Sequence, residues 1–356
     1  LRSVVAYMNP LYGGKGDETP SFIHAVITTL YVNGASRFVG GSCRFAQLLV
    51  DRIQRCGGKV LTNDGVEWVE VKDRHVEYVQ TRKGERYEGD YYIAAIHPCT
   101  LLKLMPEHAF PKAYRNRLNE IPNSYSAFSL YIKLKPRTLK FVNHSEYYMT
   151  RYADIWKFGD PLVQQTATGE PHDSGQTESV WPLGFLFMTA PDENQGEYAN
   201  KVLVTAPMLF EEVKKWEDTE VGHRGADYLA WKASMVERLL DCAEKLHPGF
   251  RDCVDQIESS SPLTIRDYYG VKEGSMCGYS KDYKNMALSQ VPVVTKVDNL
   301  LLTGQCNNLH GFSGVPLTAI NTAEVILGKN YVMNHINGME MNHINRIDKL
   351  YDNAII

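Results

Sequence analysis

The 356-residue sequence lacks several features that would each point to a broad class of protein. Basic residues are not in excess, because 38 Lys and Arg stand against 42 Asp and Glu, and this balance argues against a nucleic-acid-binding protein. No stretch approaches the roughly 20 apolar residues that a membrane-spanning helix requires. No two cysteines form a C-x-x-C pair, so we predict no zinc or other metal site.

The cysteines do not suggest a disulfide framework either, because they are odd in number and scattered along the chain. This usage is typical of reduced thiols in a cytoplasmic protein, which is the location we predict. There is no secretory signal peptide, and the sequence begins at Leu1 rather than Met, so we expect the natural N-terminus to lie upstream. The seven cysteines are Cys43, Cys56, Cys99, Cys242, Cys253, Cys277 and Cys306.

Two helices are predicted in the first 58 residues. The first would have Thr19 as its N-cap and Pro20 as its first residue, and the second would follow Ser42 and end at Gly57-Gly58. The segment KVLTN that comes next favours a strand. The apolar residues of the second helix fall on one stripe, which predicts a face packed on a core. They are Phe45, Leu48, Leu49, Ile53 and Cys56.

The next segments read mainly as strands. VEWVEV and HVEYVQTRKG predict a hairpin, and the apolar run at the end of ERYEGDYYIAAI is typical of a strand buried on both faces. Further strands are predicted in SAFSLYIKLK, WPLGFLFMTAP, NKVLVTAPM and NLLLTG, and a polar surface loop at 159–180. A long helix is predicted at 225–247, stopped by His247-Pro248-Gly249. Its expected inner face is Leu229, Ala233, Val236, Leu240 and Ala243.

This order of elements predicts an α/β fold with an inserted antiparallel, α+β domain. The composition, 44% apolar and 22% charged residues, is ordinary for a soluble globular protein. The predicted domains are an α/β part at 1–105, the inserted domain at 106–290, a C-terminal α/β segment at 291–328 and a polar tail at 329–356. The tail repeats MNHIN, which places His335 and His343 two turns apart; a solvated or docking helix is favoured over a metal site.

The segment LLLTGQCNNLHGFSGVPLTAINTAEVIL, residues 300–327, is the most informative. Its strand ends at Gly304, and Pro316 is predicted to begin a helix, so the backbone N–H groups between them lack intrahelical partners. Together with the helix dipole they favour an anionic or electron-rich ligand, which Gly311 and Gly314 would let approach closely. No Lys-Ser/Thr follows the last glycine, so phosphate transfer is disfavoured. A flavin site, another anion site and a plain connecting loop all remain open.

Four segments resemble segments of a known family and occur in the same order along the chain. They are FVGGSCRFAQLLVDRIQRCGGKVLTNDGVEWVEV, DYYIAAIHP, SPLTIRDYYGVKEGSMCGY and the segment at 300–327. They resemble the phytoene desaturase, carotenoid isomerase and retinol saturase family of FAD-dependent oxidoreductases. The resemblance implies an FAD/NAD(P)-binding fold with an inserted substrate domain. It also implies chemistry on carbon–carbon double bonds of a polyene or isoprenoid lipid, of the phytoene dehydrogenase or retinol saturase type. Peripheral contact with a membrane would suit such a substrate.

The resemblance also implies roles for particular residues. The ribityl–pyrophosphate would lie near Gly304 and Gln305, and the isoalloxazine along Gly311, Phe312, Gly314 and Val315. The backbone of Val66 would meet the adenine, and Gly40 and Gly41 would let the chain pass close to the cofactor or substrate channel. A substrate wall would contain Phe128, Tyr131, Phe185 and Phe187, for which packing in a core is the alternative. No acid or base is evident; His310, beside the predicted flavin loop, is the catalytic candidate.

One part of the family pattern is missing. The family opens with a strand–G-x-G-x-x-G–helix unit that holds the FAD pyrophosphate, and this sequence contains none. The glycines of YGGKGDE do not follow a strand and read as a loop. We therefore expect an incomplete fold that lacks an N-terminal portion of roughly 100–150 residues, and weak or no binding of FAD by this chain alone. The missing portion could be supplied in trans, or the chain could form a homo-oligomer.

Two other functional classes remain open at this point. One is a flavin amine oxidase, which would use the same cofactor loop on a nitrogen-containing substrate. The other is a non-catalytic remnant that binds a lipid without redox chemistry. An aromatic cage or a lysine facing the flavin would favour the amine oxidase.

Overall fold

The computed structural model describes residues 5–36, 38–39, 41–148, 184–189, 196–307 and 309–338. The predicted loop at 159–180 and His343 lie outside these residues. The chain divides into two compact units. Unit 1 comprises Leu1–Asp64 and Ile121–Ser289, and unit 2 comprises Gly65–Glu120 and Gln290–Ile356.

The helices and strands follow one another in an order that mixes both units. The helices are α1 (Ser21–Val32), α2 (Cys43–Arg55), α3 (Pro98–Lys103), α4 (Lys112–Glu120), α5 (Ala226–Leu246), α6 (Phe250–Cys253), α7 (Pro262–Tyr269), α8 (Met286–Ser289) and α9 (Gly311–Leu327), and residues 331–338 are also helical. The strands are β1 (Val66–Lys72), β2 (His75–Thr81), β3 (Arg86–Tyr87), β4 (Tyr92–Ala94), β5 (Ser126–Leu134), β6 (Glu146–Tyr148), β7 (Gly184–Met188), β8 (Lys201–Met208), β9 (Val254–Ser260) and β10 (Leu300–Leu302).

Unit 1 is built on an antiparallel sheet with the strand order β6-β7-β8-β5-β9. Alternate residues of β5 and β8 are apolar, and they form one buried face that packs against α5. This confirms the strands predicted in SAFSLYIKLK, WPLGFLFMTAP and NKVLVTAPM. The core contains, among others, Phe128, Leu130, Ile132, Val202, Val204, Ala206, Leu239, Leu240 and Phe250.

The long helix α5 is rotated relative to its predicted orientation. Leu240 and Ala243 are buried as predicted. Leu229 and Ala233 were also expected on the inner face but are exposed, whereas Tyr228, Met235 and Leu239 are buried. Tyr228 and Trp231 form an aromatic cluster with Trp216, with ring centroids 5.3 to 5.7 Å apart. Burying these large rings favours the observed rotation over one that buries Leu229.

The helices α1 and α2 contain no buried residue. Among the described residues, the prediction that the stripe of α2 packs on a core was therefore wrong, since Leu48 is 60% exposed and Leu49 and Ile53 are also exposed. KVLTN is not a strand either, and Leu61 within it is exposed. Segments whose pattern requires a covering layer thus lie at the surface of unit 1.

The ends of α1 and α2 differ in part from the prediction. Pro20, not Thr19, is the N-cap of α1, because the Thr19 hydroxyl instead accepts a hydrogen bond from the N–H of Lys15 at 2.9 Å. Ser42 occupies the N-cap of α2 without a side-chain capping bond. Gly57 has φ of 82°, which confirms the predicted left-handed end of α2.

Unit 2 contains an antiparallel sheet of β1, β2 and β3 and a parallel pair, β4 and β10. The predicted hairpin is confirmed: Lys72 pairs with His75 across a turn in which Asp73 and Arg74 both have positive φ. Asn299 connects this hairpin to β10. Its side-chain Oδ1 accepts from the N–H of Val76 at 2.7 Å, and its Nδ2 donates to the carbonyl of Val76 at 3.0 Å.

The turn after α5 supplies a pH-dependent contribution to stability. The carboxylate of Glu244 accepts hydrogen bonds from the N–H groups of Arg251 at 3.0 Å and Gly249 at 2.6 Å, and these bonds lower its pKa below the ordinary 4.5. A lowered pKa stabilises the fold at pH values above the ordinary pKa of the carboxyl group. This stabilisation is lost as the pH falls through the pKa that the group has in the folded protein. We expect Glu244→Gln to lower the denaturation midpoint at pH 7 and the difference from wild type to vanish in acid. A difference that is independent of pH would contradict this assignment.

Candidate cofactor-binding site

The loop at 303–310 leads from β10 into α9, which begins at Gly311 rather than at the predicted Pro316. His310 is extended, with φ of −108° and ψ of 170°, and Gly311, the first residue of the helix, has a positive φ. Pro316 lies in the second turn, where it has no N–H to donate to the carbonyl four residues earlier. The exposed backbone amides are therefore those of the first turn, Gly311 to Gly314.

The N-terminus of α9 has no side-chain cap. His310 occupies the N-cap position but makes no side-chain capping bond to the first turn, and no acidic residue lies in that turn. A helix of 17 residues has a substantial dipole, so the uncapped amides carry positive potential. An electron-rich or anionic group would be stabilised there.

The two glycines of the first turn of α9 differ in what surrounds them. Gly311 has φ of 75°, and a Cβ at this position would meet no atom within 4 Å. At Gly314 a Cβ would lie 2.8 Å from the Cβ of Leu309, so that glycine is required for the helix to pack on its own loop. Only Gly311 leaves open space beside the amides for a ligand.

Two side chains of the loop have buried polar atoms that lack a hydrogen-bond partner among the described residues. Asn307 is 0% exposed, and neither its Oδ1 nor its Nδ2 has a hydrogen-bond partner among the described residues. The buried Oγ1 of Thr303 has none there either. Buried polar atoms are nearly always hydrogen-bonded, because an unpaired amide in the interior costs about 1–3 kcal/mol. These atoms next to an uncapped helix indicate a polar ligand.

The set of donors fits a flavin nucleotide. Backbone N–H groups at a helix N-terminus suit the electron-rich edge of an isoalloxazine, and amide and hydroxyl side chains suit ribityl hydroxyls or phosphate oxygens. Asn307 and Thr303 were not among the predicted site residues. A single sequence gives no signal for them, because an Asn or Thr in a glycine-containing loop is ordinarily exposed.

The remaining predicted residues of unit 2 lie at or near this loop, apart from Val66. Gly304 has φ of 91° and follows β10, Gln305 is half-buried, and Phe312 is exposed in the first turn of α9 beside the half-buried Val315. The first residue of β1, Val66, is exposed and pairs with Thr81. Its predicted contact with the adenine stays a prediction.

Of the predicted residues of unit 1, Phe128 and Tyr131 lie on opposite faces of the sheet. Phe128 is fully buried against Trp231 on the α5 side of the sheet, the core position that sequence reasoning left open. Tyr131, three positions later, is exposed on the other face. Phe185 and Phe187 lie in β7 and pair along the backbone with Thr205 and Leu203. Gly41 has φ of 100°, and Gly40 lies outside the described residues.

A second cluster of titratable groups, in unit 1, was not foreseen. The hydroxyl of Tyr12 donates to Oδ1 of Asn9 at 2.6 Å, so the Nδ1 of His24, 2.9 Å away, must donate to Tyr12. Burial raises the pKa of Tyr12 and of Tyr125 above the ordinary value. Both tyrosines therefore remain protonated near neutral pH, which suits a structural role better than an acid–base one.

The described residues lack both a cluster of metal ligands and a helix that could cross a membrane. They contain no group of three or more His, Cys, Asp or Glu side chains that could hold a metal ion. Within them, no helix combines the length and apolar character needed to cross a bilayer. None of the seven cysteines, all of which lie in the described residues, forms a disulfide bond.

The fold resembles that of a solved oxidoreductase. The crystal structure of an oxidoreductase from Methanosarcina mazei superposes with a TM-score of 0.57, over 91% of this chain and 64% of that one, at 15% sequence identity. This similarity shows a shared fold with α/β and antiparallel-sheet elements. No family model matches the sequence.

The sequence is also similar to curated proteins that have a specific name. All-trans-retinol 13,14-reductase of Rattus norvegicus is 25% identical over 348 residues, and that of Homo sapiens is 24% identical over 347. In both cases the alignment covers 93% of this chain and 55% of the relative. The chain thus spans about half the length of the curated relatives it matches.

Proposed function

We propose that the loop at 303–310 and the N-terminus of α9 bind FAD. We further propose that the protein is an oxidoreductase acting on carbon–carbon double bonds of a polyene or isoprenoid lipid. The observation that carries the cofactor proposal is the buried side chain of Asn307, which has no hydrogen-bond partner among the described residues and precedes the uncapped helix in the chain. The reaction class is supported by the retinol reductases among the relatives and by the family resemblance of the four sequence segments.

The residues of this site would hold the cofactor through distinct groups. The amides of Gly311 and the residues after it would donate to the electron-rich edge of the isoalloxazine, and the dipole of α9 would favour negative charge there. Asn307 and Thr303 would hydrogen-bond the polar chain that joins the ring to the phosphates. Phe312 would lie along the ring. Once bound, FAD would supply hydride transfer to or from an olefinic carbon.

The proton that accompanies hydride transfer is not yet assigned to a side chain. His310, the N-cap of α9, stays the candidate because it lies next to the proposed ring site. The exposed face of the unit 1 sheet, which carries Tyr131, is the proposed substrate wall. Aromatic and hydroxyl side chains there would accommodate a polyene that ends in an alcohol.

Residues 1–356 contain no strand–G-x-G-x-x-G–helix unit. These residues would therefore offer few charge-assisted contacts to the phosphates of FAD. We therefore expect this chain alone to bind FAD weakly. The ring-side contacts would remain, so FMN should bind about as well as FAD, whereas ADP should not compete. The affinities for FMN and FAD are measured by titrating flavin fluorescence at high protein concentration. Competition by ADP would contradict binding through the flavin ring.

A pair of glycines at opposite ends of α9 tests the site. Gly311 and Gly328 both have positive φ, and a Cβ added at either one would meet only open space, so alanine at either position should cost about 1–2 kcal/mol of stability. Only Gly311→Ala should weaken flavin binding, by about tenfold or more, because its methyl group would occupy the ligand side of the amides. Equal loss of binding in both variants, or in neither, would exclude this site.

The reaction itself can be tested separately. With excess FAD held reduced by dithionite, loss of the polyene absorbance of all-trans-retinol would support the proposed reductase activity. His310→Ala should then lower turnover without changing flavin affinity. Unchanged turnover in this variant would remove His310 from the mechanism.

A further inference from the structure

A row of hydroxyl side chains crosses the face of the unit 1 sheet that lies opposite to α5. Thr205, Ser129 and Ser260 occupy paired positions on β8, β5 and β9, so their side chains share this face. The hydroxyl oxygens of Ser129 and Thr205 are 2.6 Å apart, and Thr205 also lies 3.2 Å from the carbonyl of Phe128. These two hydroxyls are therefore well satisfied within the sheet.

Ser260, at the β9 end of the row, is less well satisfied. Its side chain is buried, with the residue 6% exposed, and among the described residues its hydroxyl contacts only that of Tyr131, at 3.4 Å. Hydrogen bonds between hydroxyls are normally about 2.7–2.8 Å long, so this bond is weak. A buried hydroxyl with so long a bond retains much of the cost of leaving water. A ligand hydroxyl that bonded both oxygens would remove that cost.

Tyr131 makes this position accessible from solvent. The residue is 49% exposed, and its hydroxyl reaches diagonally from the middle strand β5 to Ser260 on β9. Burial and, to a smaller extent, the neighbouring Tyr131 raise the pKa of Tyr269 above its ordinary value. Tyr269, the last residue of α7, is therefore a neutral hydroxyl beside Tyr131 at neutral pH.

The charges around Tyr131 disfavour an anionic ligand. Glu258 pairs with Tyr131 across the β5–β9 ladder, so its carboxylate lies on the same face. The cation of the next position on this face, Lys133, is held by Asp255 at 2.8 Å. A carboxylate placed at Tyr131 would meet Glu258, whereas a neutral hydroxyl would not be repelled.

The other end of the row has aromatic residues. The register runs from Thr205 through the backbone position of Phe185 on β7 to Tyr147 on β6. The ring of Tyr147 packs edge-on against that of Tyr7, with centroids 4.8 Å apart. At about 4.8 Å between neighbouring strands, the row spans about 19 Å from β6 to β9. It thus changes from aromatic to hydroxyl residues over the width of the sheet.

Building on the proposed polyene substrate, we propose that Tyr131 and Ser260 bind a hydroxyl group at the end of that substrate. The apolar chain would extend along the row toward Tyr147, whose ring suits a flat polyene. An alcohol can accept a hydrogen bond from one of the two oxygens and donate one to the other. An ether can only accept, and a carboxylate would in addition be repelled by Glu258. Tyr131, Ser260 and Glu258 therefore select a neutral polyene alcohol.

The test compares three ligands that share one polyene and differ at its end. All-trans-retinol, its methyl ether and all-trans-retinoic acid are titrated into the chain, and quenching of tryptophan fluorescence is measured without flavin. We expect retinol to bind about three- to tenfold more tightly than either of the others, the value of one hydrogen bond. The methyl ether serves as an internal control, because it retains the polyene and lacks the donor.

Matched variants assign this preference to the two hydroxyls. Tyr131→Phe and Ser260→Ala should each weaken retinol binding about three- to tenfold and leave binding of the methyl ether nearly unchanged. Ser259→Ala is the control for the serine, because Ser259 pairs with Leu130 and lies on the opposite face of the sheet. Tyr283→Phe is the control for the tyrosine, because Tyr283 is similarly exposed outside the sheet. Both controls should bind retinol normally.

The role of the charge is tested by Glu258→Gln. Removing the carboxylate should strengthen the binding of retinoic acid about threefold or more at low ionic strength, and added salt should reduce this gain. An affinity for retinoic acid that the substitution leaves unchanged would show that Glu258 does not act on the ligand.

Three outcomes would overturn the assignment of Tyr131 and Ser260. They are no saturable binding of retinol, equal affinities for retinol and its methyl ether, and wild-type affinity for retinol in both hydroxyl variants. Failure here is distinct from failure of the cofactor site, because no flavin is present. A chain that binds flavin but not retinol would support the cofactor proposal and overturn this one, and retinol binding through Tyr131 without flavin binding would do the reverse.

Discussion

Replacing Asn307 with leucine is expected to stabilise the protein and to weaken its binding of flavin. The buried amide has no partner among the described residues, so its removal should raise the free energy of unfolding by about 1–3 kcal/mol. If the amide holds the cofactor, the same change should weaken FMN or FAD binding about 10- to 100-fold, the value of one or two lost hydrogen bonds. Opposite changes in stability and affinity are characteristic of residues kept for binding.

The same substitution at Asn299 provides the matched control. Asn299 is equally buried, but its amide is fully used by the N–H and carbonyl of Val76. Asn299→Leu should therefore lower the free energy of unfolding by about 2–4 kcal/mol, since it leaves two buried backbone groups unpaired. Urea denaturation of both variants, with flavin titration of Asn307→Leu, measures these effects. Destabilisation by Asn307→Leu would show that its amide is satisfied inside the protein.

The ion pair between Arg224 and Asp267 is expected to contribute strongly to the stability of unit 1. The Arg224 side chain is only 5% exposed, stacks on Tyr228, and donates to Asp267 and to the carbonyl of Thr219. Asp267→Ala would leave this guanidinium buried without its counter-ion. We expect the free energy of unfolding to fall by about 3–5 kcal/mol. Tryptophan fluorescence is a suitable probe, because Trp216 lies 5.3 Å from Tyr228 between ring centroids.

The pair Arg74–Asp298 shows what an exposed ion pair contributes. Its atoms are 2.7 Å apart, but both side chains are more than 60% exposed. Asp298→Ala should cost less than about 1 kcal/mol, because water and salt screen the exposed charges. Equal losses in the two variants would show that burial of Arg224 does not raise the value of its ion pair.

Local patterns predicted the elements of the fold well. The hairpin of β1 and β2, the strands β5, β7 and β8 and the extent of α5 follow from alternation, turn residues and helix stops in the sequence. These features depend on neighbours close in the chain. The rotation of α5 could not be predicted, because it depends on aromatic contacts with Trp216 in another segment.

The sequence patterns predicted burial less reliably than they predicted secondary structure. The stripe of α2 and the apolar run of β4 both predict covered surfaces, and both are exposed in the structure. A sequence records which side chains require a covering layer but not which segment of the fold supplies it.

The candidate site could be predicted only in outline. The glycine-containing loop before α9 was evident from the sequence, but the start of the helix was placed five residues too late because Pro316 is a common first helical residue. The buried environment of Asn307 depends on the three-dimensional path of the loop. Its lack of a partner could be found only from coordinates.

The exposed helices α1 and α2 have a consequence for how this chain behaves in a test tube. Apolar side chains such as Phe22, Val26 and Leu48 remain in contact with water, and each forgoes about 1.5–3 kcal/mol that a covering layer would provide. Concentrated solutions should therefore be colloidally unstable. Hydrophobic dyes and mild detergents should adsorb to the native chain as they would to a partly opened protein.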